Sequence, residues 1–422
     1  MVKKLSAYKT YLFFSCVTAL LFWLVFTVSM VYQIEQIHLN PFQLILVGTT
    51  LELACFLFEI PTGIVADIYS RKLSIIIGLV LIGTGFTIEG SVPKFAAVIV
   101  SQILWGVGHT FISGAIDAWI AGEDKTIELD RIYLEGAQVG QIGSVIGIML
   151  GTLMGNFSLR LPIILGGCLF IVFALVLVIY MPERNFKSSA PEELNTFKKM
   201  GHTFKTSLNF IKSKPIIIIL LSVTLFYGLS SEGYDRLTIA HFLKDITLPK
   251  LGNFQPVTWY GIFNILGMML SAAIMQFVIK KLEKNNIIQR FSILLTANIL
   301  QILFMLVFAL TRNFGLMLTA YLTINMVRTL NKPIYNAWLN SHIEDNARAT
   351  VLSTNGQINS LGQIIGGPII GVIATKFSIS IGIACTSLLL TPVIALYILS
   401  MIKDRNSNKN RGRGGDDIYE NN

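Results

Sequence analysis

The sequence predicts an all-α integral membrane protein, with twelve transmembrane helices in two six-helix, pseudo-symmetric halves. Three observations predict it. Only 14% of the residues are charged and the mean hydropathy is +0.65, whereas soluble chains carry roughly 25% charged residues. Apolar runs of about 20 residues, the length a bilayer demands, recur along the whole chain. The second half also echoes the first at an offset of 219 residues.

The elements follow in order. The opening MVKKLSAYKT leads into an apolar run longer than the roughly 7–15 residues of a signal peptide, and no A-x-A-like cleavage site is present. It is therefore read as a first span, 10–32. Further spans are expected at 42–66, 73–91, 95–121, 137–156 and 160–181, giving an N-terminal half over 1–181. A polar segment, 182–214, separates these from spans at 215–240, 258–279, 288–311, 314–340, 350–375 and 378–402, the C-terminal half. The tail, 403–422, is polar and Gly/Asn-rich and is expected to be disordered.

With the N-terminus inside, 24 of the 33 basic residues fall in inside segments and six in outside loops. The positive-inside rule then places both termini and the central loop in the cytoplasm of a plasma-membrane protein. The same distribution answers the net charge of +9, because the basic residues are scattered between apolar runs rather than gathered into a nucleic-acid patch. Cys16, Cys55, Cys168 and Cys385 lie in apolar runs without metal-ligand spacing and read as buried free thiols. No P-loop, GxGxxG, zinc motif or nucleophile elbow stands in a credible context, which argues against an enzyme and excludes ATP-driven transport within this chain. No cofactor or metal of the protein's own is expected.

The repeat is specific at a few positions. Ala118 and Trp119 match Ala337 and Trp338, and Gln138, Gly143 and Gly147 match Gln357, Gly362 and Gly366. Asp117 becomes Asn336 and His109 becomes Arg328. Such a repeat in a multi-span protein points to two halves facing a central cavity. The series Gly143, Gly147, Gly151, Gly155 reads as helix packing.

Charges inside spans carry the functional signal. Glu52 and Glu59 are seven residues apart, hence about 20° apart in azimuth, on one face of span 2. Glu52 is expected roughly 15 Å into the membrane and Glu59 about 10 Å deeper. A charge at the bilayer centre costs about 2.5–3.5 kcal/mol on insertion scales, so such groups face a wet cavity or the bundle interior. A carboxylate that takes a proton and a cationic substrate in turn is the least machinery antiport requires. Glu59 reads equally as a carrier or as a brace for the following turn, with Pro61 kinking the helix end. Glu89 reads as an interfacial partner of Lys94 or a proton exit site. His109 reads as a core histidine or a relay, and Asp117 as a coupling group or an anchor through Trp119. In the second half Glu232 and Arg236 stand four apart and can pair, next to Asp235. Arg328 and Lys332 share a face and either neutralise first-half carboxylates or hold an anionic group of the substrate.

Gly63-IVA-Asp67-IYS-Arg71-Lys72 resembles the loop 2–3 signature of the major facilitator superfamily. Glu59-x-Pro61 ahead of it, with Glu52 and Glu89, is similar to the class P tetracycline efflux proteins, drug:proton antiporters of that superfamily. The resemblance implies the major facilitator fold, the proton as coupling ion, and efflux of tetracycline, free or as its metal chelate, by a monomer in the lipid bilayer. It also implies that Asp67, Arg71 and Lys72 form a latch closing the cytoplasmic side; the plain alternative is a solvated turn. Gln102 stands where many drug antiporters have an arginine in span 4, and Gly366-Gly367-Pro368 falls in span 11 rather than span 5. The residues by themselves leave three functions open: a drug exporter, a symporter importing a partly anionic nutrient, and a receptor without flux.

Overall fold

The computed structural model describes residues 6–123, 128–186, 214–281, 287–343 and 348–416. Among these, thirteen helices form: α1 (Ala7–Glu35), α2 (Pro41–Ile68), α3 (Arg71–Ser91), α4 (Phe95–Glu123), α5 (Leu129–Gly155), α6 (Arg160–Tyr180), α7 (Pro215–Lys244), α8 (Val257–Lys281), α9 (Ile287–Leu310), α10 (Phe314–Asn340), α11 (Arg348–Lys376), α12 (Ile379–Leu388) and α13 (Thr391–Asp416). Most of the central loop, 187–213, lies outside the described residues.

Local chemistry sets several starts. Asn40 and Gln43 form a reciprocal capping box with Pro41 in the first turn of α2. Ser6, Ser70, Asn313 and Ser378 cap α1, α3, α10 and α12 through their side-chain oxygens. Eleven segments are long and apolar enough to cross a membrane, α12 and α13 counting as one. The twelfth, α10, is 27 residues long but polar, since it carries Arg328, Lys332 and several asparagines.

Two expectations are corrected. The last span is broken at Leu389–Leu390, where Pro392 in the next turn removes a backbone donor. α13 then continues through Asp416, so residues 403–416 are helical, because an established helix propagates at one bond per residue; 417–422 are outside the described residues. α2 runs through Pro61 to Ile68, close to the expected 66, and the Thr62 hydroxyl bonds the Phe58 carbonyl at 2.8 Å.

The chain divides into two compact units, Met1–Asn195 with Arg236–Ile265, and Thr196–Asp235 with Leu266–Asn422. In the first, α5 packs on α1, α3 on α4 and α6, and α2 on α4. The α5–α1 seam is backbone against backbone: a Cβ at Gly143 would stand 2.2 Å from the Cys16 carbonyl oxygen, and one at Gly147 2.3 Å from that of Leu20. Ile142, Met149 and Leu153 of α5 are exposed, the apolar outer surface that lipid requires. In the second unit α9 packs on α10, α12 and α13, and Gly362 and Gly366 of α11 lie against the Leu225 and Leu229 carbonyls of α7. All four cysteines are free, as expected, but none is fully buried: Cys168 is exposed and the others half-buried.

Candidate functional site

In the first unit α2 presents a charged face. Glu52, Glu59, Gly63 and Asp67 fall within about 80° of azimuth, with Glu52 half-buried and the other three exposed. The helix is seated on α4 beside that face, where the absent side chain of Gly106 admits the Leu51 carbonyl and the Ala54 methyl. The Cys55 thiol is 3.6 Å from the Gly106 carbonyl oxygen.

The turn after α2 is fastened rather than merely solvated. Arg71 donates to the Ala118 carbonyl at 2.7 Å, and the Lys72 ammonium to the Val178 and Met181 carbonyls at 2.8 and 2.9 Å. Val178 stands in the last turn of α6 and Met181 just beyond it, where a helix end leaves carbonyls without partners, while Ala118 lies inside α4. Glu183 answers from the other side, accepting the Ser70 hydroxyl at 2.6 Å and the Lys72 amide at 2.9 Å. A carboxylate there also complements the positive end of α3. Trp119, buried, donates its indole N–H to the Pro182 carbonyl at 2.8 Å, so it anchors within the protein rather than at an interface. Glu123 accepts the amides of Arg184 and Asn185 at 2.7 and 2.6 Å. Sequence reasoning missed Glu183 and Glu123; the signal for Glu183 was its place in MPERNF, directly after span 6 and on the same side as the Arg71-Lys72 pair.

Glu89 is not an interfacial partner of Lys94. It is 1% exposed, accepts the Gln33 side-chain amide at 2.8 Å, and its backbone carbonyl accepts the Tyr32 hydroxyl at 2.9 Å. Gln102 is buried as well, and its side-chain oxygen has no hydrogen-bond partner among the described residues. His109 is corrected in the other direction: it is exposed, not a core histidine, and with Ser113 and Asp117 it forms a polar stripe along α4 at four-residue spacing. The glycines around it explain this, since Gly106 and Gly108 turn the packed sides of α4 towards α2 and α3.

In the second unit Arg328 of α10 makes a two-pronged bond to Asp235 of α7, Nη2 to Oδ2 at 2.9 Å, and its guanidinium lies 5.2 Å from the Tyr234 ring centroid. Arg328 is thus neutralised within its own unit, not by a first-half carboxylate, as bidentate geometry favours. Lys332, one turn on, is exposed and Glu232 is buried; the next turn of α7 begins the stretch assigned to the first unit, with Arg236 half-buried. A polar core lies close in sequence. The Tyr227 hydroxyl accepts from Asn298 and Asn331 at 3.2 Å each, and the Tyr335 hydroxyl donates to the Leu220 carbonyl at 2.8 Å. Isolated amides and tyrosines in apolar runs gave no periodic signal for it. Among the described residues no group of His, Cys, Asp and Glu could hold a metal ion.

Comparison with known proteins agrees with this architecture. Over 393 residues the chain is 26% identical to YxaM of Bacillus subtilis (strain 168), described as an uncharacterized MFS-type transporter, covering 90% of this chain and 92% of that one. It is 25% identical over 312 residues to Multidrug resistance protein 2 of the same organism, covering 73% and 74%. The crystal structure of the nucleoside transporter NupG superposes with a TM-score of 0.71 at 14% identity, over 94% of this chain and 99% of that one. Such a likeness shows the fold. Residues 12–367 match the family described as Major Facilitator Superfamily. That stretch takes in most of the chain, which therefore belongs to the Major Facilitator Superfamily and is a multi-pass membrane transporter.

Proposed function

We propose that this transporter exports an amphipathic drug of the tetracycline type from the cytoplasm in exchange for protons, by alternating access across the plasma membrane, with both termini cytoplasmic. The observation that carries the reading is the α2 face, where Glu52, Glu59 and Asp67 line up in a spanning helix with two of the three exposed. Charged groups at such positions belong at a wet cavity. Proton and cationic drug compete for the same carboxylate, so occupancy by one releases the other. The relative whose name denotes multidrug resistance supports a drug as cargo. The importing alternative asks Arg328 and Lys332 to bind an anionic substrate group, and of these the Arg328 guanidinium is already held by Asp235.

The test is tetracycline accumulation in cells expressing the protein, with and without an uncoupler. Low accumulation that rises when the proton gradient collapses is expected. Glu52→Gln is expected to abolish the difference while the protein stays in the membrane. Export unchanged in that variant would remove Glu52 from the mechanism.

A further inference from the structure

Gln33 Oε1, Thr49 Oγ1, Ser101 Oγ and Gln102 Oε1 are buried in the first unit with no hydrogen-bond partner among the described residues. They belong to α1, α2 and α4, and packing brings them towards the Glu89 carboxylate of α3. Gln33 is joined to it directly: its amide nitrogen donates to Glu89 Oε1 at 2.8 Å, and the idle oxygen sits on that same amide. Ser101 lies against Gly85, where an added Cβ would stand 3.0 Å from the Ser101 carbonyl oxygen and 3.4 Å from its hydroxyl oxygen. Gly85 is one turn before Glu89 on the same face of α3, and a long helical side chain leans back over that turn. The Ser101 hydroxyl is therefore within reach of the Glu89 carboxyl, although no directed bond is formed.

Gln102 follows Ser101, and Thr49 comes to its level from α2. These two helices run the same way, because Leu51 and Ala54 lie against Gly106 while Arg71, beyond the end of α2, meets Ala118 further along α4. One turn back from the Gly106 contact, Thr49 and Gln102 stand at one height. No ion pair joins Glu89 to a cation among the described residues. Arg160 is turned to the Gly90 and Ser91 carbonyls at 2.8 and 2.6 Å, and Arg236 acts on the carboxylate only from a distance.

A buried carboxylate without a counter-charge is costly, and so is each idle buried oxygen. A protonated carboxyl has one O–H to give and satisfies one of the four oxygens. A water satisfies two and brings no charge. A metal cation serves the carboxylate and the neutral oxygens together. One carboxylate cancels one positive charge, so a divalent ion would keep an unmatched charge inside the membrane. Oxygen donors alone select a hard ion over a transition metal, in keeping with the lack of a His, Cys, Asp and Glu cluster among the described residues.

We propose that Glu89, Gln33, Thr49, Ser101 and Gln102 form a binding site for a sodium ion, the carboxylate supplying the charge and the four side chains the neutral oxygens. The bound ion ties α1, α2, α3 and α4 together at one level. This goes beyond the export reading, in which the proton is the coupling ion, and sodium binding stands or fails independently of it.

The experiment is equilibrium binding of radioactive sodium to the purified full-length protein in detergent. Melting temperature is measured alongside in choline chloride, potassium chloride and sodium chloride at equal ionic strength. Saturable binding by the parent and a melting temperature raised by sodium alone are expected. Glu89→Gln, nearly the same shape without the charge, is expected to weaken binding at least tenfold, and Ser101→Ala and Gln102→Leu severalfold. Absence of saturable binding by the parent, stabilisation by potassium equal to that by sodium, or unchanged affinity in Glu89→Gln overturns the site. Should Glu89→Gln fail to fold, the other two variants decide: parental affinity in both overturns it. Failure of the export reading shows itself separately, as sodium binding intact in a protein whose expression leaves tetracycline accumulation unchanged.

Discussion

Asp235 and Arg328 are partly exposed, 44% and 30% at their side chains, so their attraction is screened and a modest coupling is expected. Removing one partner nonetheless leaves the other charge without its match. Arg328→Ala and Asp235→Ala are each expected to lower transport more than the double variant does relative to either single, a favourable coupling that a double-mutant cycle reads directly. Additive losses would mean that the two act independently. This pairing was only half legible in the sequence: the charges were visible, but Arg328 and Asp235 are 93 positions apart and their helices had no stated register. Glu89 is misread from sequence for the same reason, since Gln33 lies 56 positions away and Lys94 only five. Proximity in sequence was the one distance available, and it favoured the wrong partner.

Caps and helix ends carry the next level of argument. Glu183 joins the start of α3 to the end of α6 through two short bonds, and a neutral amide keeps the shape while losing the charge. Glu183→Gln is expected to cost about 1–2 kcal/mol of stability in thermal unfolding in detergent, since bonds to charged groups exceed neutral ones. An unchanged melting curve would show that Arg71 and Lys72 suffice to hold the turn. Elements were the most legible part of the chain, because apolar length is a direct physical requirement of the bilayer. Even α10 is found at 314–340, its charges notwithstanding. Starts were less legible: α5 begins at Leu129 rather than 137, because its first two turns are polar and helical together. The break between α12 and α13 escapes a reading of the sequence although Pro392 marks it, since the run is uniformly apolar.

The repeat offers a test across the molecule as a whole. Gly147 and Gly366 are equivalent by the 219-residue offset, and a Cβ at either would stand 2.3 Å from a backbone oxygen, of Leu20 and of Leu229 respectively. Gly147→Ala and Gly366→Ala are each expected to cost about 1–3 kcal/mol by overpacking, and nearly additively, since they share no partner. Gly63→Ala is the control, because nothing lies within 4 Å of its added methyl group. A control that melts as low as the other two would refute the packing argument. The α1–α5 seam has one more consequence. Along it the backbone of α1 fits between glycines four residues apart, a pitch of about 6 Å. A smaller slip drives side chains into carbonyl oxygens, so neither helix can creep along the other. Mechanically the two are a single beam: whatever displaces Asn156 at one end displaces Tyr11 at the other.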